Sequence, residues 1–174
     1  MPKIIENIRE LILDEGKKAL TNSNYKNLNI REITKACGIG TGTFYNYFKN
    51  KEEMAIAIFE RDWANIISSV KSIVKADISL KNKLFQIYLC IDGFLSDHIS
   101  IFIEMSSDNC SYKQDMSTMA PLYEAVEEIL VLHKGTLNTS IEVKKLAAFI
   151  IYNFNNMAKT KYITFEEFYS LLVL

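Results

Sequence analysis

Proline is nearly absent from this chain: Pro2 and Pro121 are the only two, and more than a hundred residues between them carry none. A proline inside a helix costs about 3 kcal/mol, because it lacks the amide hydrogen and collides with the preceding turn. Its absence over such a length, with only 6 glycines in 174 residues, permits long uninterrupted helices. The spacing of apolar residues then favours helices over strands throughout.

Ile4, Ile5, Ile8, Leu11, Ile12, Ala19 and Leu20 recur at helical intervals and predict an amphipathic helix over 3–21. The polar run Thr21-Asn22-Ser23-Asn24 ends it, with Asn24 suited to a left-handed exit. Asn29 followed by Glu32 has the form of a capping box and opens a short helix over 30–37 that buries Ile33, Ala36 and Cys37. Gly38-Ile39-Gly40 supplies a turn, with Gly38 free to take positive φ and Ile39 plugging the gap between its neighbours. A third helix runs from Thr41 to Tyr47, and a fourth from Lys51 to Lys75, about 37 Å long. Further helices are expected over 80–96, 99–106, 117–133, 140–160 and 164–173, with connections over 108–117 and 134–139. About nine helices result.

Hydrophobic residues make up 49% and charged residues 24%, the balance of an ordinary globular chain. The longest apolar run, Leu146 to Tyr152, is far short of a membrane span, and charges interrupt the first fifteen residues. A cytoplasmic protein without membrane contact is expected. Cys37, Cys90 and Cys110 are odd in number and widely spaced, and only His98 and His133 accompany them, so buried thiols are expected rather than a metal site. No cofactor is implied. Net charge is −1, but residues 1–61 carry ten basic and eight acidic side chains, and every arginine lies there. Between Tyr25 and Lys51 five basic residues (Lys26, Arg31, Lys35, Lys49, Lys51) face one acid, Glu32. Such a surface suits phosphates, although a merely solvated basic face has the same composition.

Asn29 to Phe48, NIREITKACGIGTGTFYNYF, is thus a helix, a glycine-containing turn and a second short helix rich in hydroxyl and amide groups. A helix enters the DNA major groove when its exposed side bears groups that bond base edges and phosphates and its neighbour holds it rigid. Phe44 and Phe48, four apart, fall on one inward side with Ile33 and Ile39. The run from Gly38 to Glu52 resembles the signature of the TetR family of transcriptional regulators, and the likeness extends over residues 4 to 60. It implies that Thr41, Thr43 and Asn46 face the groove, that Tyr45 and Tyr47 touch phosphate or thymine methyls, and that Lys51 bonds a phosphate. Gly40 and Arg31 complete the expected DNA-binding set. Packing is the competing role for the two tyrosines. Gly40 replaces a usual serine and Asn24 a usual glycine, at the cost of one hydroxyl contact.

The resemblance further implies an all-α fold: an N-terminal three-helix helix-turn-helix DNA-binding domain (1–50) joined to a C-terminal helical ligand-binding and dimerisation domain (51–174). A cavity is implied in the second, for which Trp63, Tyr88, Asp92, Phe102, Met105, Tyr123 and Asn153 are the candidates. Phe85, Phe94, Met116 and Met119 share their character. Most such rings serve as core, and Asp92, His98 and Asn153 are expected at the surface. The helix around Leu146 to Ala158 is apolar over most of its circumference, so a homodimer interface is expected through Phe149, Ile150, Phe154, Met157, Phe168 and Leu172. With a short last helix, that interface is reduced or recruits 117–133.

The partners that follow are double-stranded operator DNA, a second copy of the chain and a small-molecule effector. The effector would shift the helix over 51–75 and so change the separation of the two reading helices. An effector-less DNA-binding dimer, whose body only pairs or holds a partner protein, is the second reading. A small helical enzyme is the third and weakest, since no paired carboxylates or nucleophile with a base can be located.

Overall fold

A computed structural model of the chain describes residues 7–107, 116–136 and 140–172. Cys110, the side chain of Met116, most of the connection expected over 108–117 and the first turn expected at 3–6 lie outside the described residues. Among the described residues eight α-helices follow one another: α1 (Ile8–Asn22), α2 (Ile30–Ala36), α3 (Thr41–Tyr45), α4 (Lys51–Lys75), α5 (Leu80–Ser107), α6 (Ala120–Leu132), α7 (Val143–Thr160) and α8 (Phe165–Leu172). Short 3₁₀ turns span Met116–Met119 and Lys134–Thr136. The count is eight rather than nine because the expected break near residue 97 is absent. Ile91, Phe94, His98 and Met105 are all buried at three-, four- and seven-residue steps, so one stripe continues through the site of the break.

The chain divides into two compact units, Met1–Asp62 with Asp97–Tyr112, and Trp63–Ser96 with Lys113–Leu174. Both α4 and α5 contribute residues to each. The first unit therefore reaches past residue 50.

Its core gathers Ile12, Leu13 and Leu20 of α1, Tyr25 and Leu28 of the following loop, Ile33, Cys37, Phe44, Phe48, then Met54 and Ile58 of α4 and Met105 of α5. Gly16 lets α1 lie close on α4: a Cβ there would come within 2.9 Å of Met54 Sδ and 3.1 Å of Ile58 Cδ1. Two local expectations fail. Asn24 does not take the left-handed conformation, since Asn7 and Lys161 alone among the described non-glycine residues do. Its side chain instead accepts the Asn27 N–H at 3.0 Å, which closes a turn without that cost. Ala36 is exposed, leaving Ile33, Thr34 and Cys37 as the buried side of α2.

The second unit is held by a larger apolar cluster from Val70, Ile73 and Val74 through Leu84, Ile87, Leu122, Val126, Ile129, Ile150 and Phe154 to Phe165, Phe168 and Leu172. The buried Lys83 ammonium donates to Val74 O at 2.7 Å and so caps the carboxyl end of α4. Thr164 and Glu167 cap α8: Glu167 Oε2 accepts from the Thr164 N–H at 2.8 Å, and Thr164 Oγ1 accepts from the Glu167 N–H at 3.3 Å. The Thr164 N–H first, and then the Thr164 hydroxyl, which donates to Glu167 Oε2 at 2.7 Å, hold the Glu167 carboxyl below the usual range. No described helix is long and apolar enough to cross a membrane.

Candidate nucleic-acid interface

Helix α2 begins where Asn29 Oδ1 accepts the Arg31 N–H at 3.0 Å. It ends on Gly38, whose φ of 67° lets the chain reverse, and the Ile39 N–H returns to Thr34 O at 3.0 Å. Five residues of α3 are too few to stand alone. What holds them is Phe44, fully buried, and Phe48, whose ring lies 5.7 Å from it. The Arg9 guanidinium covers Phe48 from 5.5 Å. The helix stops at Tyr45 rather than Tyr47, but N–H bonds from Tyr47 and Phe48 to Phe44 O carry the turn on.

With Phe44 and Phe48 inward, the residues between them turn outward. Tyr45 is 54% and Tyr47 41% exposed. Asn46, Gly40, Gly42 and Arg31 are exposed as well, while Thr41 and Thr43 are half-buried. Lys35 and Lys49, which carried only charge in the sequence reading, are exposed on the same short stretch. This surface offers hydroxyls, an amide and two phenols, with cations around them.

Lys51 is differently employed. Its ammonium donates to Tyr25 O at 3.1 Å and Lys26 O at 3.3 Å and sits 4.5 Å above the Tyr25 ring. At the head of α4, Asn50 Oδ1 accepts the Glu53 N–H at 2.8 Å and Glu53 Oε2 accepts the Lys49 N–H at 2.6 Å. That cap has the same spacing as Asn29 and Glu32, the signal by which it was open to detection.

His98, expected at the surface, is buried. Its Nε2 lies 3.0 Å from Asp62 Oδ2, which also takes the Lys17 ammonium at 2.6 Å. Burial pushes the imidazole pKa below its ordinary value, against the opposing pull of Asp62. Arg61 bridges Asp14 at 2.8 Å and Glu10 at 3.2 Å on α1.

The residues expected around an effector do not all fall in one unit. Phe102, edge-on to Phe59 at 4.4 Å, and the buried Met105 belong to the first unit. There they adjoin a void of about 10 Å³ that Ile56, His98 and Ile101 also line. The other five lie in the second unit. Trp63 donates to Thr118 O at 2.9 Å and packs on Phe94 at 5.1 Å. Tyr88 packs against Phe154 at 5.5 Å. Asp92 pairs with Lys161. Asn153 donates to Phe149 O at 2.8 Å within its own helix. Tyr123 lines a surface cleft of about 530 Å³ with Glu127 and Lys144.

Of the residues expected between subunits, Ile150, Phe154, Met157, Phe168 and Leu172 are buried within the single chain, packed among α5, α6, α7 and α8. Phe149 alone of the six is open, at 53%, and α7 is not apolar all round. Its outer side carries Lys145, Ala148, Phe149, Tyr152 and Asn156, with Tyr152 at 73%. Cys37 is buried and Cys90 half-buried, both with pKa values raised by burial. No cluster able to hold a metal occurs among the described residues.

Residues 12–58 match the family model of bacterial regulatory proteins, tetR family. The chain is 24% identical over 170 residues to the fatty acid metabolism regulator protein of Bacillus subtilis, covering 94% of this chain and 87% of that one. It is 39% identical over 62 residues to the HTH-type dhaKLM operon transcriptional activator DhaS of Lactococcus lactis, 35% of this chain and 33% of that one. In three dimensions it is similar to the transcriptional regulator FadR from Bacillus subtilis, solved in complex with stearoyl-CoA. That likeness has a TM-score of 0.61 at 19% identity and covers 87% of this chain and 85% of the other.

Proposed function

We propose that this chain, whose residues 12–58 match the family model of bacterial regulatory proteins, tetR family, is a cytoplasmic, homodimeric transcriptional repressor that leaves its operator when a small molecule binds. Residues 1–50 read the DNA and residues 51–174 bind the effector and pair. The observation that supports this reading most is the division of one short turn: Phe44 and Phe48 fill the core while Tyr45, Asn46 and Tyr47 face solvent. Thr41, Thr43 and Asn46 address base edges, and Tyr45, Tyr47 and Arg31 address the backbone around them. Lys51 serves first to fasten the loop before α2, given the two carbonyls it already holds.

Pairing uses the exposed side of α7, where Phe149 and Tyr152 stand, rather than the residues beneath it. Tyr152→Asp is expected to shift the protein from dimer to monomer in sedimentation; an unchanged dimer would place the interface elsewhere. A relative solved with stearoyl-CoA makes long-chain acyl-CoA the first effector class to try. Duplexes selected from a random pool by the purified protein supply the operator probe. Fluorescence anisotropy should show tight binding that weakens on adding stearoyl-CoA. If no duplex is enriched, the DNA reading fails; if affinity holds at saturating acyl-CoA, that effector class does.

A further inference from the structure

One peptide group in the first unit is held from both of its ends. The bond between Tyr25 and Lys26 lies in the loop between α1 and α2. Its carbonyl, Tyr25 O, accepts from the Lys51 ammonium at 3.1 Å, and its amide, Lys26 N–H, donates to Glu104 Oε2 at 3.0 Å. In a trans peptide these two groups point in opposite directions. The cation therefore comes from α4 on one side and the carboxylate from α5 on the other. Both bonds are charge-assisted, and each polarises the amide in the sense that strengthens the other.

The loop so gripped leads directly into α2. Tyr25 and Leu28 on either side of it are buried, the Leu28 N–H returns to Tyr25 O at 3.2 Å, and Asn29 caps α2 one residue later. Helix α2 in turn carries the Gly38 reversal and α3. Little slack separates Lys26 from the outward side of α3.

Glu104 is itself well seated. Around it on α5, Met105 is buried in the same core, Phe102 packs edge-on to Phe59, and His98 meets Asp62, which Lys17 of α1 also holds. The carboxylate thus stands on a fixed base 78 residues away in sequence from the amide it receives.

We propose that Glu104 is a positioning residue for DNA reading: from α5 it sets the α1–α2 loop, and through it the presentation of α3, without touching DNA. This rests on the DNA-reading role proposed above. The Lys26 amide is at an exposed loop, so water replaces the carboxylate when Glu104 is shortened, and the fold survives.

The probe is the duplex enriched by the wild-type protein, compared with a random duplex of equal length at low salt. Non-specific binding depends on charge alone, whereas specific binding depends on how α3 is presented. Glu104→Ala and Glu104→Asp, the second keeping the charge but withdrawing it by one methylene, are expected to lower the ratio of specific to random affinity about tenfold. Glu104→Gln, which keeps an acceptor oxygen in place, is expected to stay within about threefold of wild type. Glu104→Ala combined with Lys51→Ala should lose less than the sum of the two, since both hold one peptide. An unchanged ratio in Glu104→Ala and Glu104→Asp overturns the inference. So does an equal loss on both duplexes. Failure of the wild-type protein to enrich any duplex would instead strike the DNA-reading role, leaving the two failures distinguishable.

Discussion

Helix α3 has five residues and buries one of them, Phe44, whereas α7 has eighteen and buries seven. The first is kept in place by its surroundings: a glycine reversal, two phenylalanines, and ties from α1, α4 and α5. The second needs only its own stripe laid on a large apolar cluster. Their open sides differ accordingly. That of α3 is phenol, amide and glycine, fit for base edges and phosphates; that of α7 is Phe149 and Tyr152 among lysines, fit for another protein surface. A short helix in a polar lattice is adjusted by single contacts, while a long one on a core is adjusted only by removing volume.

The sharpest test of that contrast removes one ring from each unit. Phe44→Ala and Phe154→Ala, both fully buried, should each cost about 3–5 kcal/mol in denaturant titration. Phe44→Ala alone should also abolish retention of the selected duplex at temperatures where the protein stays folded. Equal effects on DNA from both would dissolve the distinction.

Lys51→Ala comes next, at about 1.5–3 kcal/mol of stability, because two carbonyls lose a charged donor. Its salt slope for DNA binding should stay near that of wild type. A slope smaller by about one would mean that the ammonium also neutralises a phosphate.

Thr43→Ala or Asn46→Ala should leave the melting temperature alone and cost about 1–3 kcal/mol at one base pair, read by anisotropy on singly substituted duplexes. A uniform loss over all sequences would assign them to the backbone.

The smallest effect separates the units by acid. The folded pKa of His98 is depressed, so the neutral ring is favoured in the fold. Its contribution is complete above the ordinary histidine value of about 6.5 and is lost as pH falls from there toward the folded value. Glu167 is depressed too, so the α8 cap is complete above about 4.3 and lost only below it. Amide exchange between pH 7.5 and 3 should show protection around Asp62 and His98 declining first, with α8 following. Simultaneous decline, or a first phase that persists in His98→Gln, would remove the distinction.

Much of the first unit was readable because its constraints are close in sequence: Asn29 caps two residues ahead, Gly38 reverses the chain within three, and Phe44 and Phe48 share a side. The α4 cap from Asn50 and Glu53 has the same three-residue spacing and is equally local. What spacing cannot show is contact at long range. His98 reads as a surface residue because its partner Asp62 lies 36 residues away in sequence, and nothing near Lys26 points to Glu104. In the second unit the apolar stripe of α7 was visible, but a stripe has no mark telling a monomer core from a subunit interface. Phe154 and Met157 went to the core, while Phe149 of the same expected set stayed outside beside Tyr152. The break expected at 97–98 failed for a related reason, since a buried histidine extends a stripe that a hydrophobicity pattern ends.

The Tyr25–Lys26 clamp takes hold of main chain, which every residue type supplies, rather than of a side chain. Position 26 is therefore free to drift through almost any substitution during descent with the anchor intact, proline excepted, since it has no amide hydrogen to give. The identity of the residue there says nothing about the hold upon it, and a substitution scan would register position 26 as indifferent while positions 51 and 104 carried the cost.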